Sequence, residues 1–196
     1  MTTHTLGIIG LGRIGAHLAR LAQPFEMKVL GHDPIVGQES AAGLGVEVVE
    51  LDDLLSNSDY ISVHVPLNEH TRGLINRDHI ARMKKGAIFI NTARGGIVES
   101  LDVLADALES GQLSAVGLDV FPAEPPDTSH RIFRDSRCLY TPHNVGASQL
   151  AMLRIYRSMA TGMANVLTGH APEHCVNPEV LGVAGNLPTG VQFDKG

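Results

Sequence analysis

The 196-residue chain has only two cysteines, no tryptophan and few aromatic residues, 4% in all. Cys138 and Cys175 are too few for a disulfide framework, so the sequence predicts a reducing, cytoplasmic location. No apolar run approaches the roughly 20 residues that a membrane-spanning helix needs. The N-terminal residues also lack the basic and apolar pattern of a signal peptide. We therefore expect no membrane partner.

Positive charge is scarce as well. Lys and Arg number 15 against 21 Asp and Glu, which gives a net charge of −6, and no basic cluster stands out. This balance argues against a nucleic-acid partner. The 43% hydrophobic and 18% charged residues are ordinary for a globular protein, and the length suffices for one well-cored domain with or without an appendage.

Short apolar segments alternate with helical patterns along the chain. Near-continuous apolar runs are typical of strands in a parallel sheet that is covered on both faces. The sequence therefore predicts an α/β fold, a doubly wound parallel sheet of the Rossmann type with about seven strands. The predicted strands are Leu6–Ile9, Lys28–Asp33, Val46–Val49, Tyr60–Val65, Ala87–Asn91, Ser114–Val120 and Cys138–Thr141.

Helices are predicted between these strands and after the last of them. The first covers Ala16–Phe25, and apolar residues spaced by three and four at Ile14, Leu18, Leu21 and Phe25 predict that it buries that face. Another is predicted over Val98–Glu109. A C-terminal helix at Gln149–Leu167 carries an apolar stripe on one face and polar residues on the other. The apolar stripe consists of Leu153, Tyr156, Ala160, Met163 and Leu167.

Three glycines in the order G-x-G-x-x-G, at Gly10, Gly12 and Gly15, join the first strand to the first helix. This turn directs backbone N–H groups and the positive helix end at one spot, which suits a pyrophosphate. Asp33 ends the second strand, where a dinucleotide fold places an acid on the adenosine ribose, although it could also be only a turn residue before proline. Its charge would repel a 2′-phosphate, and residues 34–46 contain no Lys or Arg. We therefore predict NAD rather than NADP.

Chemically distinctive residues follow the later strands. Arg94 comes after the fifth strand, Asp119 and Glu124 after the sixth, and His143 after the seventh. In an open α/β sheet the ligand lies at the carboxyl edge, so these four side chains are predicted to converge there.

Together these motifs resemble the NAD-binding domain of the D-isomer-specific 2-hydroxyacid dehydrogenases. The resemblance runs from about Thr5 to Leu181. The motifs that carry it are GLGRIG at 10–15, the Asp33–Pro34 turn, HVPL at 64–67, NTARGG at 91–96, GLDVF at 117–121 with EP at 124–125, TPH at 141–143 and VNPE at 176–179.

The resemblance implies a catalytic trio. Arg94 would hold the carboxylate of a small 2-oxo acid and polarise its 2-oxo group, a task that suits a rigid fork of donors. His143 would act as general acid and base. Glu124 would pair with His143 and favour the imidazolium.

The resemblance also implies the residues that hold NAD. The pyrophosphate would be lined by Gly10, Gly12, Arg13, Ile14 and Gly15, and the nicotinamide side by Val65, Pro66, Thr92 and Ala93, with Asp119 at the nicotinamide end. No metal site is expected, because Pro172 interrupts any helical pairing of His170 with His174 and Cys175.

Family members carry a substrate domain of about 100 residues before the glycine motif. We expect that domain to be absent here, and we predict three parts: an NAD-binding domain at 1–147, a C-terminal helix and crossing segment at 148–182, and a tail at 183–196. An apolar stripe without a partner surface would stay exposed. We therefore predict a homodimer that forms either through this stripe or through the face by which the family dimerises. An alternative remains open, an NAD(H)-binding module without catalysis of its own, such as a sensor or co-repressor.

Overall fold

The computed structural model describes residues 4–177 and residue 179. Contacts between Cα atoms divide the chain into two compact units, the first ending at Val145 and the second beginning at Gly146. The predicted division into three parts remains a prediction, and its tail at 183–196 lies outside the described residues.

The first unit contains one seven-stranded sheet in the order β3-β2-β1-β4-β5-β6-β7, and all its strand pairs are parallel. The strands are β1 Thr5–Ile9, β2 Lys28–His32, β3 Glu47–Val48, β4 Tyr60–Val63, β5 Ala87–Asn91, β6 Leu113–Leu118 and β7 Cys138–Tyr140. The helices of this unit are α1 Arg13–Ala22, α2 Gln38–Ala41, α3 Leu51–Asn57, α4 Arg77–Arg82 and α5 Leu101–Glu109. The predicted Rossmann-type α/β fold is thus confirmed.

Helices cover both faces of the sheet. On one face Leu6 and Ile8 of β1 share a core cluster with Ala19 of α1. On the other face Ile9 of β1 belongs to a larger cluster with Leu54 of α3. Alternation of side chains along β1 places these neighbours on opposite sides, as a two-sided core requires.

The buried face of α1 was predicted wrongly. Ile14, Leu21 and Phe25 are 69%, 56% and 66% exposed, whereas Gly15 and Ala19 are buried. The reason is the close approach of α1 to the glycine turn, where a Cβ added at Gly15 would overlap the Gly10 carbonyl oxygen. Only very small residues fit at this closest approach, so Ile14 and Leu21 point outward, whereas Leu18 of the predicted stripe is half-buried and packs against the core.

Short elements and element ends also differ from the prediction. The one-turn helix α2 and a 3₁₀ turn at Arg131–Arg134 were not predicted, since a single turn leaves no periodicity to detect. Helix α5 begins at Leu101 rather than Val98, because the Ser100 hydroxyl accepts the Val103 N–H at 3.4 Å and caps the helix there.

The second unit contains the predicted C-terminal helix, α6, at Gln149–Leu167. Ser148 caps it by accepting the Ala151 N–H at 3.1 Å. Leu153, Tyr156 and Met163 of the apolar stripe are more than half exposed, at 64%, 59% and 61%. Among the described residues, no helix combines the length and apolarity needed to cross a membrane.

Candidate functional site

A cavity of about 720 Å³ opens at the carboxyl edge of the sheet. Its walls come from the start of α1 and from the loops after β4 and β5, which meet at one edge because the strands are parallel. It is lined by Arg13, Ile14, His64, Val65, Pro66, Leu67, Thr92, Ala93 and Arg94. All of these except His64 and Leu67 were predicted as cofactor or substrate residues.

The three glycines of the turn differ in what the fold requires of them. Gly10 has a φ of +97°, and a Cβ there would lie 2.9 Å from backbone atoms of His64 and Val65. Gly15 has no room for a Cβ either. Gly12, by contrast, has nothing within 4 Å of an added Cβ and an ordinary φ of −64°. The folded chain alone therefore does not explain the glycine at position 12, whereas a ligand approaching the backbone would.

Asp33 connects the end of β2 to this turn. One carboxylate oxygen accepts the Leu11 N–H at 2.8 Å, and the other accepts those of Ile35 and Val36 at 2.9 and 3.1 Å. Partial burial opposes ionisation, but these backbone donors outweigh it, so the pKa of Asp33 lies below its usual value. The turn interpretation of Asp33 thus has a structural basis. A carboxylate has capacity for further donors, so a ribose contact stays a prediction.

Glu124 and His143 form a direct pair, as predicted. The Nδ1 atom of His143 lies 2.8 Å from one carboxylate oxygen of Glu124, whose other oxygen accepts the Phe121 N–H at 3.1 Å. The hydrogen bond to His143, then the Phe121 N–H and the charge of Arg94, hold the pKa of Glu124 below its usual value. This pairing leaves Nε2 as the ring nitrogen that can exchange a proton.

Asp119 holds the loop that carries His143. Its buried carboxylate accepts the Thr141 hydroxyl at 2.5 Å and the N–H groups of Asn144 and Val145 at 2.9 and 3.2 Å. His143 lies inside this loop with a φ of +53°, a left-handed conformation that non-glycine residues rarely adopt. Asp119 therefore helps to fix the backbone of His143. Its predicted contact with nicotinamide remains a prediction.

This arrangement predicts a specific loss of stability. Asp119→Ala is expected to lower the free energy of unfolding by about 1–3 kcal/mol, because two backbone N–H groups and a hydroxyl lose their acceptor. Asp119→Asn is the matched control, since its amide oxygen can replace the oxygen that accepts all three donors. We expect it to lose less than half as much in urea unfolding. Equal losses in the two variants would show that the charge, not the acceptor, is what the loop needs.

Arg94 follows β5 in a turn that Asn91 braces. The fully buried Asn91 side chain donates to the Arg94 carbonyl and accepts the Ala93 N–H, both at 3.0 Å. The Arg94 side chain is exposed at the cavity, and its guanidinium donates to the Ala93 carbonyl at 2.6 Å. Sequence reasoning missed Asn91, although its place as the last residue of a buried strand was a usable signal.

His64 was also missed. It follows β4 directly, lines the cavity, and its Nε2 lies 2.8 Å from the Ser62 hydroxyl. Burial lowers the pKa of His64, which favours the neutral ring at physiological pH.

No cluster of three or more His, Cys, Asp or Glu side chains that could hold a metal ion occurs within residues 4–177 and 179. His170, which was considered as a ligand, has its Nδ1 3.1 Å from the Thr168 hydroxyl.

Comparison with known proteins gives a family match. The family model described as "D-isomer specific 2-hydroxyacid dehydrogenase, NAD binding domain" matches residues 1–145. The chain is 40% identical to the D-3-phosphoglycerate dehydrogenase of Methanocaldococcus jannaschii, over 88% of this chain and 33% of that protein. It is 39% identical to the glyoxylate reductase of Korarchaeum cryptofilum, over 96% of this chain and 55% of that protein. The chain thus spans between a third and just over half of these relatives.

Solved structures agree in fold. The TT0316 protein of Thermus thermophilus superposes with a TM-score of 0.81 at 35% identity, covering 88% of this chain and 53% of that one. D-lactate dehydrogenase with NAD+ from Lactobacillus jensenii gives a TM-score of 0.82 at 27% identity, covering 88% and 55%.

Proposed function

Because the chain belongs to the D-isomer specific 2-hydroxyacid dehydrogenase family and contains the NAD-binding domain of that family, we propose that it takes part in hydride transfer between NAD(H) and a small D-2-hydroxy acid or 2-oxo acid. The observation that carries this proposal is the Glu124–His143 pair at 2.8 Å. Glu124 follows β6 and His143 follows β7, the two strands that come after β5, the strand before Arg94, in the order of the sheet. A lone NAD-binding module has no need of a paired histidine and carboxylate at the ligand edge of its sheet.

The residues at this edge fit NAD. The open space at Gly12 allows a pyrophosphate to approach the backbone at the start of α1, where N–H groups lack helical acceptors. Asp33, directly after β2, would contact the adenosine ribose. Val65, Pro66, Thr92 and Ala93 line the cavity and would face the nicotinamide. When bound, NADH supplies the hydride.

The protein's own side chains handle charge and protons. Arg94 would bind the substrate carboxylate and polarise its 2-oxo group through the guanidinium. His143 would give the proton on Nε2 to the oxygen of that group as the carbon is reduced, and would take it back in the oxidation. Glu124 holds the ring by Nδ1 and so leaves Nε2 to exchange the proton with the substrate oxygen.

The test is an NADH fluorescence titration followed by a panel of 2-oxo acids that includes glyoxylate and hydroxypyruvate. We expect saturable NADH binding and slow, Arg94-dependent oxidation of NADH, because an open pocket orients substrate poorly and admits water. Failure to bind NADH would overturn the proposal. Binding without any oxidation across the panel would favour the alternative, an NAD(H)-binding module such as a sensor or co-repressor.

We also propose that the chain forms a homodimer. A groove of about 490 Å³ beside α1 is lined largely by apolar residues, among them Leu18, Met27, Tyr60 and Ile90, and the neighbouring Leu21 is 56% exposed. A surface of this kind is typical of an interface. Light scattering at micromolar concentration is expected to give a dimer for the natural chain and a monomer for Leu21→Glu. A monomer in both cases would contradict the proposal.

A further inference from the structure

The loop that carries Arg94 rests directly on the backbone of Phe121 and Pro122. Gly95, the residue after Arg94, is buried, and a Cβ added there would overlap the carbonyl group of Phe121 and the nitrogen of Pro122. Any side chain at position 95 must therefore push these two backbones apart. This contact limits how far apart the Arg94 loop and the loop after β6 lie.

The same residue, Phe121, also orients Glu124. Its N–H donates to one carboxylate oxygen of Glu124 at 3.1 Å, while the other oxygen meets the His143 ring at 2.8 Å. A shift of the Phe121 backbone would thus move the carboxylate that holds His143.

A third connection runs through aromatic rings. The rings of Phe121 and Phe133 lie 5.4 Å apart between centroids, and Phe133 meets Tyr140 edge-on at 5.0 Å. Tyr140 ends β7, three residues before His143. Phe133 belongs to the 3₁₀ turn at 131–134, which Arg131 ties to Asp102, Asp106 and Glu109 of α5.

We propose that Phe121 is the hub that sets the spacing of Arg94 relative to the Glu124–His143 pair, and that Gly95 is a positioning residue for it. Three separate contacts converge on Phe121: Gly95 of the Arg94 loop, the carboxylate of Glu124, and the ring of Phe133, which in turn meets Tyr140 at the end of the strand before His143. Gly95 touches none of the reacting atoms, so it acts through Phe121. The relevance of this hub to catalysis rests on the proposed function, whereas its effect on Glu124 does not.

The experiment follows the carboxyl carbon of Glu124 by NMR titration of the 13C-labelled chain without cofactor, with Glu124→Gln to assign the signal. Gly95→Ala is expected to raise the pKa of Glu124 by about half a unit or more, as its donors are displaced. Two controls separate positioning from stability. Gly96→Ala adds a methyl group against flexible side-chain ends of Leu67 and Arg72, and Gly7→Ala creates an overlap with Leu54 and Ser58 in another part of the sheet.

Both controls are expected to leave the pKa of Glu124 unchanged, even where Gly7→Ala lowers the melting temperature. An unchanged pKa of Glu124 in Gly95→Ala, or an equal rise in Gly7→Ala, would overturn the proposal.

If Gly95→Ala does not fold, Phe133→Leu replaces it as the test variant. This substitution removes the ring between Phe121 and Tyr140 and should produce the same rise in the pKa of Glu124. An unchanged pKa there would overturn the proposal. If the natural chain does not bind NADH, the proposed function is contradicted, but the comparison of Glu124 pKa values between the variants still stands.

Discussion

Gly12→Ala is expected to weaken NADH binding by about tenfold or more, a loss of about 1.4 kcal/mol or more in binding free energy, while the chain stays folded. An added Cβ at this position meets nothing within 4 Å, and its φ of −64° suits alanine. The free energy of unfolding should change by less than about 1 kcal/mol, the scale of a helix-cap substitution. The methyl group would instead occupy the space that the pyrophosphate needs.

Gly15→Ala is the contrasting half of the same prediction. Its Cβ would overlap the Gly10 carbonyl, so we expect a loss of about 3 kcal/mol or more in the free energy of unfolding, the upper range for overpacking. Urea unfolding and NADH titration of the two variants separate fold from binding. Gly43→Ala is the control, since Gly43 is exposed and also has nothing within 4 Å of an added Cβ. Equal NADH affinity in Gly12→Ala and Gly43→Ala would contradict a pyrophosphate at Gly12.

His143→Asn is expected to slow the oxidation of bound NADH by a 2-oxo acid by about 10²–10⁴-fold, the usual worth of a positioned general acid. The measurement is a single-turnover reaction of the NADH-loaded chain with excess glyoxylate. NADH affinity should be unchanged, because the proposed role of His143 concerns the substrate oxygen. Glu124→Gln should slow the same step to a smaller degree, since an amide cannot stabilise the protonated ring as a carboxylate does.

The matched control is His70→Asn. His70 also meets a carboxylate, that of Glu69 at 3.4 Å, but in an exposed loop. We expect its rate to equal that of the natural chain. A rate for His143→Asn within about threefold of the natural one, under 1 kcal/mol in activation free energy, would rule out general acid catalysis by this residue.

Much of the fold could be predicted from local patterns of apolar residues in the sequence. The alternation of apolar runs and helical segments identified the parallel sheet, because a strand buried on both faces is apolar at every position. The same topology brought Arg13, Val65, Thr92 and Arg94 to one cavity, since parallel strands end at a common edge. Residues close to a strand end could therefore be assigned to the site without knowledge of any contact.

Contacts between distant residues could not be read in this way. The spacing of Ile14, Leu18 and Leu21 correctly indicated a helix, but the buried side is the one with Gly15, Ala19 and Ala22, because the helix approaches the glycine turn too closely for larger residues. Periodicity reports where apolar residues lie around a helix. It does not report how near the sheet is.

By itself the sequence determined the fold class, the glycine turn and the strand ends at which Arg94, Glu124 and His143 occur, since each depends on residue types at short spacing. Only the tertiary structure decided how those residues are held: Asp119 on the His143 loop, Asn91 beneath Arg94, and Gly95 against Phe121. These contacts join residues from separate loops. Their existence depends on distances of a few ångströms that are established only when the sheet and its helices pack together.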